Sequence, residues 1–340
     1  KQYRMDTLHG LLDLPADQVV GLLGVPDQAG PMRAVLVGGQ IVTGKLQSTA
    51  IELKIPTGGT LKIPFGRIRQ CSYRISEARP EETPLTDALI VLRNGDRLAF
   101  EADRLDCFLR TRHGRIRLQA KHLLAVHLAG QGHGVHRATF LNGSTLAGVL
   151  GPDRILLPLK LGKQLNIPRE MILAIHFAAQ AVENPELGRI LLSNDDELIG
   201  RLVDESFQLR TAFGTVPVRP ANILAMAFDR HDPKRVKIKL WNDSTLRGRL
   251  LTDVLRFAIQ PGPVVKLYPG QIVSLSCPDA LPPEHIIKAV QKYVAMLSVG
   301  SYKDRQEAQE KLMMMKAPII PLLRKHLKDS DSEVRQRIRT

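Results

Sequence analysis

Apolar and polar residues alternate with a period of two through most of the first 276 residues, in short runs broken by turn-forming residues. In 188–228, GRILLSNDDELIGRLVDESFQLRTAFGTVPVRPANILAMAF, Ile190, Leu192 and Leu198 stand against Arg189, Ser193 and Glu197. Further on, Phe207, Leu209 and Thr211 stand against Gln208 and Arg210. Alternation of this kind predicts strands with one buried face. The predicted order is a strand, a turn at Asn194–Asp195, a second strand ending at Gly200 and a third closing on Thr211. A second turn at Gly214, a fourth strand, Pro220 and a last apolar run from Ile223 to Phe228 complete the unit.

The same order recurs over 33–73, 87–128, 136–177, 188–228 and 235–276, repeats one to five. Residues 1–23 read as the second half of a further repeat whose first half is missing. Thr7, Gly10 and Pro15 occupy there the places of Thr211, Gly214 and the later proline. The first-turn residues Gly38, Asn94, Asn142, Asn194 and Asn242 are 56, 48, 52 and 48 residues apart. Six residues after each stands a glycine (Gly44, Gly148, Gly200, Gly248), except in repeat two, which has Phe100. A fixed offset kept through five units is the signature of a repeat protein.

Asn-Gly and Asn-Asp tolerate the positive φ of a tight, two-residue hairpin turn. The recurring glycine marks a sharp bend or a place where another backbone comes close. A unit of 41 or so residues cannot secure a core alone, so the repeats are expected to share strands or pack face to face. The predicted fold is mainly β: an open tandem array of small β-meander or Sm-like units with a C-terminal α-helical segment. The rival is a β-propeller, whose four-stranded blades suit the period; the unmatched half-unit at 1–23 argues against a closed ring.

Beyond Cys277 helical spacing replaces alternation. Ile286, Ile287, Val290, Val294 and Leu297 fall on one helical face. Ser301 with Asp304 predicts a capped second helix carrying Ala308, Leu312 and Met315 inward. Pro318 predicts the start of a third helix, and Ser330 with Glu333 a capping box for a fourth. The segment 285–340 is read as one helical unit, and the chain as cut at both ends.

The net charge is +14, with 48 Lys and Arg against 34 Asp and Glu. A spread basic excess favours anionic partners. Aromatics are only 4%, thin provision for stacking bases or sugars. Three cysteines far apart in sequence, Cys71, Cys107 and Cys277, have no metal-ligand spacing and read as small buried residues. No run of about 18 apolar residues predicts a membrane span.

The stretch Tyr302–Arg337 resembles a HEAT-type helical repeat, through Arg305 and Ala308, Pro318 and Pro321, and Asp331-x-Glu333-Val334-Arg335. That resemblance implies protein–protein contacts and a scaffold role. The β-units resemble the short strand repeats of bacterial FecR-like and other envelope-associated proteins, which implies the cell envelope or periplasm. They are also similar to the bent sheet of Sm-like RNA-binding proteins in strand count and in the glycine at the bend, with no Sm RNA-binding motif matched.

No catalytic signature is present: no HExxH, GxSxG, GxxxxGK[ST] or GxGxxG. His127, His133 and His136, in the link between repeats two and three, are the candidate metal ligands; the plainer reading is a solvated turn, and no metal or cofactor is expected. Asp195-Asp196 and Asp204-Glu205 are read as solvated acids, and the sequons at Asn142 and Asn242 as turn chemistry. Arg210, Arg219, Arg247 and Arg249 form a candidate anion-binding strip. The expected function is a non-enzymatic scaffold with protein partners or self-assembly; the alternative is a nucleic-acid or polyanion binder. An enzyme with its site elsewhere in a longer protein is the third reading.

Overall fold

The computed structural model describes the chain except residues 1, 26–29, 73–86, 131–133, 185, 278–281, 283, 300, 316–318, 329–330 and 340. It is mainly β with a C-terminal helical segment. The half-repeat holds β1 (Gln2–Thr7), β2 (Gly10–Pro15) and β3 (Val19–Gly24). Repeat one holds β4 (Pro31–Leu36), β5 (Ile41–Leu46), β6 (Ala50–Lys54), β7 (Thr60–Pro64) and β8 (Gln70–Ser72). Repeat two holds β9 (Ala88–Leu92), β10 (Arg97–Phe100), β11 (Cys107–Thr111), β12 (Gly114–Leu118) and β13 (Leu123–His127). Repeat three holds β14 (His136–Phe140), β15 (Thr145–Gly151), β16 (Arg154–Pro158), β17 (Gln164–Pro168) and β18 (Ile172–His176). Repeat four holds β19 (Gly188–Leu192), β20 (Glu197–Leu202), β21 (Phe207–Thr211), β22 (Gly214–Val218) and β23 (Ile223–Phe228). Repeat five holds β24 (Arg235–Leu240), β25 (Thr245–Leu250), β26 (Leu255–Ile259), β27 (Val264–Leu267) and β28 (Ile272–Ser276). Two compact units divide the chain, residues 1–182 and 183–340.

The repeats share strands, and they do so in twos. Repeats four and five form one ten-stranded sheet in the order β22-β21-β25-β24-β23-β28-β19-β20-β26-β27. The last strand of each repeat pairs with the first strand of the other, β23 with β24 and β28 with β19. The two last strands pair at the centre, Met226 opposite Leu275. Repeats two and three follow the same plan, with β13 on β14, β18 on β9 and β13 on β18. The half-repeat and repeat one do likewise, with β3 on β4 and β3 on β8. A single repeat therefore leaves one edge of its first strand and both edges of its last strand unpaired, and its partner supplies them.

The recurring glycine sits where the second strand of one repeat crosses the third strand of its partner. A Cβ added at Gly148 or Gly248 would lie 2.5 Å from the carbonyl oxygen of Arg110 or Arg210, and at Gly44 2.5 Å from that of Asp6. At Gly200 it would meet the carbonyl of Ala258 still more closely. A residue with a Cβ could sit at these four places only if the backbones moved apart.

The first turns differ in one detail from the expected two-residue loop. Leu92 N–H donates to Asp96 O at 2.8 Å, and Gly95 N–H donates back to Leu92 O at 3.0 Å. That makes a three-residue loop whose last residue takes positive φ: Gly95 at 90°, Gly143 at 85°, Asp195 and Asp243 at 63°. Asparagine recurs because its side-chain oxygen accepts the N–H two residues on, from Asp96, Ser144 and Ser244 at 2.9–3.1 Å. Asp196 is fully buried rather than solvated, with its carboxylate taking the Asn194 amide at 2.8 Å. Asp204 likewise grips Arg256, at 2.7 Å to Nε and 2.8 Å to the backbone N–H. The prolines at the fourth strand's end lead into 3-10 turns such as Pro220–Asn222 and Pro269–Gln271, which strand alternation does not encode.

In 1–182 both pairs of repeats belong to one 14-stranded sheet, joined by the bridge of Arg97 opposite Ile41 and by Gln40, whose side-chain oxygen accepts the Ala99 N–H at 2.9 Å. Asp13 on β2 adds an ion pair with Lys163 at 2.7 Å beside its cross-strand partner Arg4 at 2.9 Å.

The helical segment comprises α1 (Glu284–Val299), α2 (Tyr302–Met315), a short α3 (Ile320–Arg324) and α4 (Ser332–Arg339). Val290, Val294, Leu297, Ala308, Leu312, Ile319 and Val334 make its core. Ser301 caps α2, with Asp304 Oδ2 taking the Ser301 N–H at 2.9 Å. The expected third helix is shorter than its apolar spacing suggests, because a 3-10 stretch, Lys325–Lys328, replaces its second half. Pro318 and Ser330 lie outside the described residues.

Replacing Gly248 by Ala should cost about 1–3 kcal/mol, since backbone must move to admit a methyl group. Thermal unfolding should show a lower Tm for this variant and an unchanged one for Gly130→Ala, where nothing lies within 4 Å. Hydrogen bonding to Lys163, and then to Arg4, holds the Asp13 carboxyl below its ordinary value of 3.8. Its contribution to stability is therefore complete above that value and is lost as pH falls through the lower, folded one. An Asp13→Asn variant should be less stable than the parent at pH 6, and the gap should close on acidification below pH 3.8.

Candidate anion-binding face

Direct cross-strand partners point to the same side of a sheet. On the solvent side of repeats four and five, Arg210 lies opposite Arg249, and Arg249 opposite Arg235. Arg247 lies opposite Lys237, and Lys239 continues the row on β24. All six are exposed. Strands are ~4.8 Å apart and alternate residues ~6.8 Å apart, so the six charges form a grid of that spacing.

Like charges placed directly opposite one another oppose folding. In water two charges at ~6 Å repel by roughly 0.7 kcal/mol. Arg249 is relieved by Asp232 at 2.5 Å and Lys239 by Asp243 at 3.0 Å. Arg210, Arg235, Lys237 and Arg247 form no ion pair among the described residues. Arg235, Lys237 and Arg247, with Ala227, Phe228, Val236 and Gly248, line a shallow depression of about 580 Å³. Its one acid is Asp229, whose carboxyl is held below its ordinary range by the backbone N–H groups of His231 and Asp232. Beside the grid the floor is flat, because Ala225 and Ala227 face Lys239 and Lys237.

The same places elsewhere in the chain show that the fold does not require this charge. In repeats two and three they hold Arg110, Val149, Val135, Ala147, Arg137 and Thr139, two cations in six. In the half-repeat and repeat one they hold Asp6, Lys45, Pro31, Thr43, Arg33 and Val35, where Asp6 sits opposite Lys45. Only the last pair of repeats fills all six with cations.

Of the strip expected from the sequence, the structure unites Arg210, Arg247 and Arg249. Arg219 stays apart, just past the end of β22 and four residues on from Thr215, the partner of Arg210. Arg235, Lys237 and Lys239 join instead; their signal was the RVKIKL alternation of β24, legible as a cationic edge once its neighbour is known.

The histidine grouping does not assemble. His136 is buried with its Nδ1 accepting the Ala129 N–H at 3.3 Å, whereas His127 is exposed on the other face; His133 lies outside the described residues. His127 instead meets His176 edge to face, ring centres 5.7 Å apart. Burial, then Arg169 and Arg93, lowers the His136 pKa; burial, then His127, lowers that of His176. No group of three metal-ligating side chains occurs among the described residues. Burial also pushes the Cys107 thiol up to about 12 and Cys277 to about 11, so neither is a ready thiolate.

No family model matches the chain, and no curated protein matches it. Among solved structures, selenomethionine-substituted virginiamycin B lyase from Staphylococcus aureus aligns over 81% of this chain and 94% of its own, at 10% identity and a TM-score of 0.11. A likeness at that score carries no argument about fold or chemistry. No helix among the described residues is long and apolar enough to cross a membrane.

Proposed function

We propose that this chain is a non-catalytic repeat scaffold that docks onto a polyanion through the outer face of repeats four and five. The observation that carries this reading is the six-cation grid at places where the equivalent repeats keep only a pair. A cluster of unpaired charges is a standing cost, and a bound anionic polymer removes it while releasing counterions. The flat Ala225–Ala227 floor beside the grid suits a chain lying across the sheet rather than a small ligand enclosed by it. The interleaving of repeats four and five in one sheet supports an array of shared-strand pairs over propeller blades, each of which is its own sheet. The α1–α4 core supports a HEAT-like adaptor at the end of that array, and with it protein partners.

Titration of the full chain with fluorescent heparin fragments and single-stranded DNA, from about 50 to 200 mM salt, tests the reading. Affinity should fall steeply as salt rises, and each charge removed should flatten the log–log slope by about one. Arg210→Glu with Arg247→Glu should weaken binding by about tenfold or more, while Arg110→Glu with Arg137→Glu, on the equivalent face, should change it little. Loss of affinity in the second pair equal to that in the first, or no binding at about 50 mM salt, contradicts the proposal. Phe213, wholly exposed at the tip of β21–β22, separates the polymers: Phe213→Ser should weaken DNA only, if bases stack there.

A further inference from the structure

Repeat two is the one unit without the seam glycine, and the consequence is a cleft. Phe100 keeps the register of its counterpart: it bridges Leu159 as Gly200 faces Ile259. Two hydrogen bonds of the seam survive, Lys160 N–H to Ala99 O at 3.2 Å and Glu101 N–H to Pro158 O at 2.8 Å. In repeat four the strand then runs on, with Arg201 against Ala258 and Leu202 against Phe257. In repeat two it turns away at once into the 3-10 turn Ala102–Arg104, and β16–β17 form a separate two-stranded sheet.

The diverging strands leave a cleft of about 550 Å³. Its floor is apolar: Ala102, Ala120 and Ala178 lie beside Phe100 and Phe177, which meet edge to face with ring centres 6.2 Å apart and are themselves only 1% and 8% exposed. Its rim is charged and balanced, three acids (Asp87, Glu101, Asp103) against three bases (Arg104, Lys121, Lys160). Two ion pairs use four of them, Asp87 with Lys160, and Glu101 with Arg104 at 2.7 Å. Lys121 and Asp103 form no ion pair among the described residues, so one ammonium and one carboxylate remain to meet a ligand.

Repeats four and five, offset by 100 residues, give the comparison. There Leu187 replaces Asp87, Gln260 replaces Lys160, Ala221 replaces Lys121 and Cys277 replaces Phe177. Of the six rim places only two stay charged where the seam is closed, with their signs exchanged (Arg201 and Asp204), and the aromatic pair is absent, although the strand plan is the same. None of them is needed to build the sheet.

We propose that this cleft binds a small zwitterion with an apolar body, of the amino-acid type. Its side chain lies on the alanine-lined floor beside the buried Phe100–Phe177 pair, its carboxylate meets Lys121 and its ammonium meets Asp103. A concavity of several hundred cubic ångströms with an apolar floor and polar groups that fix orientation is the usual form of a small-ligand site. A rim of zero net charge discriminates against ligands carrying one sign of charge, which leave a rim group of that same sign unanswered. The assignment is independent of the cationic face.

Calorimetric and saturation-transfer titrations of the full chain with L-phenylalanine, N-acetyl-L-phenylalanine and L-phenylalaninamide test it. L-Phenylalanine should bind saturably with a Kd of about 0.1–3 mM, and each blocked analogue about tenfold or more weaker. Phe100→Gly, which restores the glycine found in the other repeats, should close the seam and remove binding, with a lower Tm because a buried ring is lost. Lys121→Ala and Asp103→Asn, both surface changes, should each weaken L-phenylalanine by about fivefold or more, and they keep the test open if Phe100→Gly does not fold. Absence of saturable binding at about 10 mM, blocked analogues that bind as well as the zwitterion, or unchanged affinity in Phe100→Gly would overturn the assignment.

Discussion

The close approach of two backbones at the glycine seam is the constraint on which the rest of this structure depends. Where the second strand of one repeat crosses the third strand of its partner, a carbonyl oxygen occupies the space a Cβ would need. The crossing lets β25 sit on β21 and β20 on β26, so that two repeats close into one sheet. Strand exchange at the centre completes it, since each repeat's first strand needs the other's last. A unit of this size buries too little surface to persist alone. Two units woven together bury Leu198, Leu209, Ile238, Phe257 and Leu275 in one continuous core.

Function follows from where the pairs differ rather than from where they agree. Residues 100 apart in repeats two–three and four–five hold the same structural places, so any difference between them is free of the fold's demands. One pair has six cations on its outer face; the other has two there, and at its open seam a charged rim over two phenylalanine rings. Each feature costs something in isolation, through repulsion between like charges or through lost strand pairing. Neither cost is imposed by the shared architecture.

Much of this was legible in the sequence. Alternation locates the strands, Asn94 and its counterparts locate the turns, and the glycine six residues on reads as either a sharp bend or a close approach, of which the structure shows the second. The pairing of repeats was also written there, in spacings of 48 within a pair and 52 or 56 between pairs, but spacing alone does not say which strands exchange. Period-two patterns record only which side of a strand is buried, not its neighbour. For that reason Arg219 was grouped with Arg210, and Arg235, Lys237 and Lys239 were not. His127 and His136 were grouped by nearness along the chain, although they point to opposite faces. Phe100 was visible as a departure; that its strand would peel away from β16 and open a cleft depends on what lies across the seam.

Native-state hydrogen exchange on the full chain tests the woven pair most directly. If two repeats are one cooperative unit, the central amides of β23 and β28 should exchange through a single opening shared with β19 and β24, with one free energy and one denaturant dependence. Exchange in which β19–β23 open together while β24–β28 stay protected would mean that each repeat stands by itself, and would contradict the account.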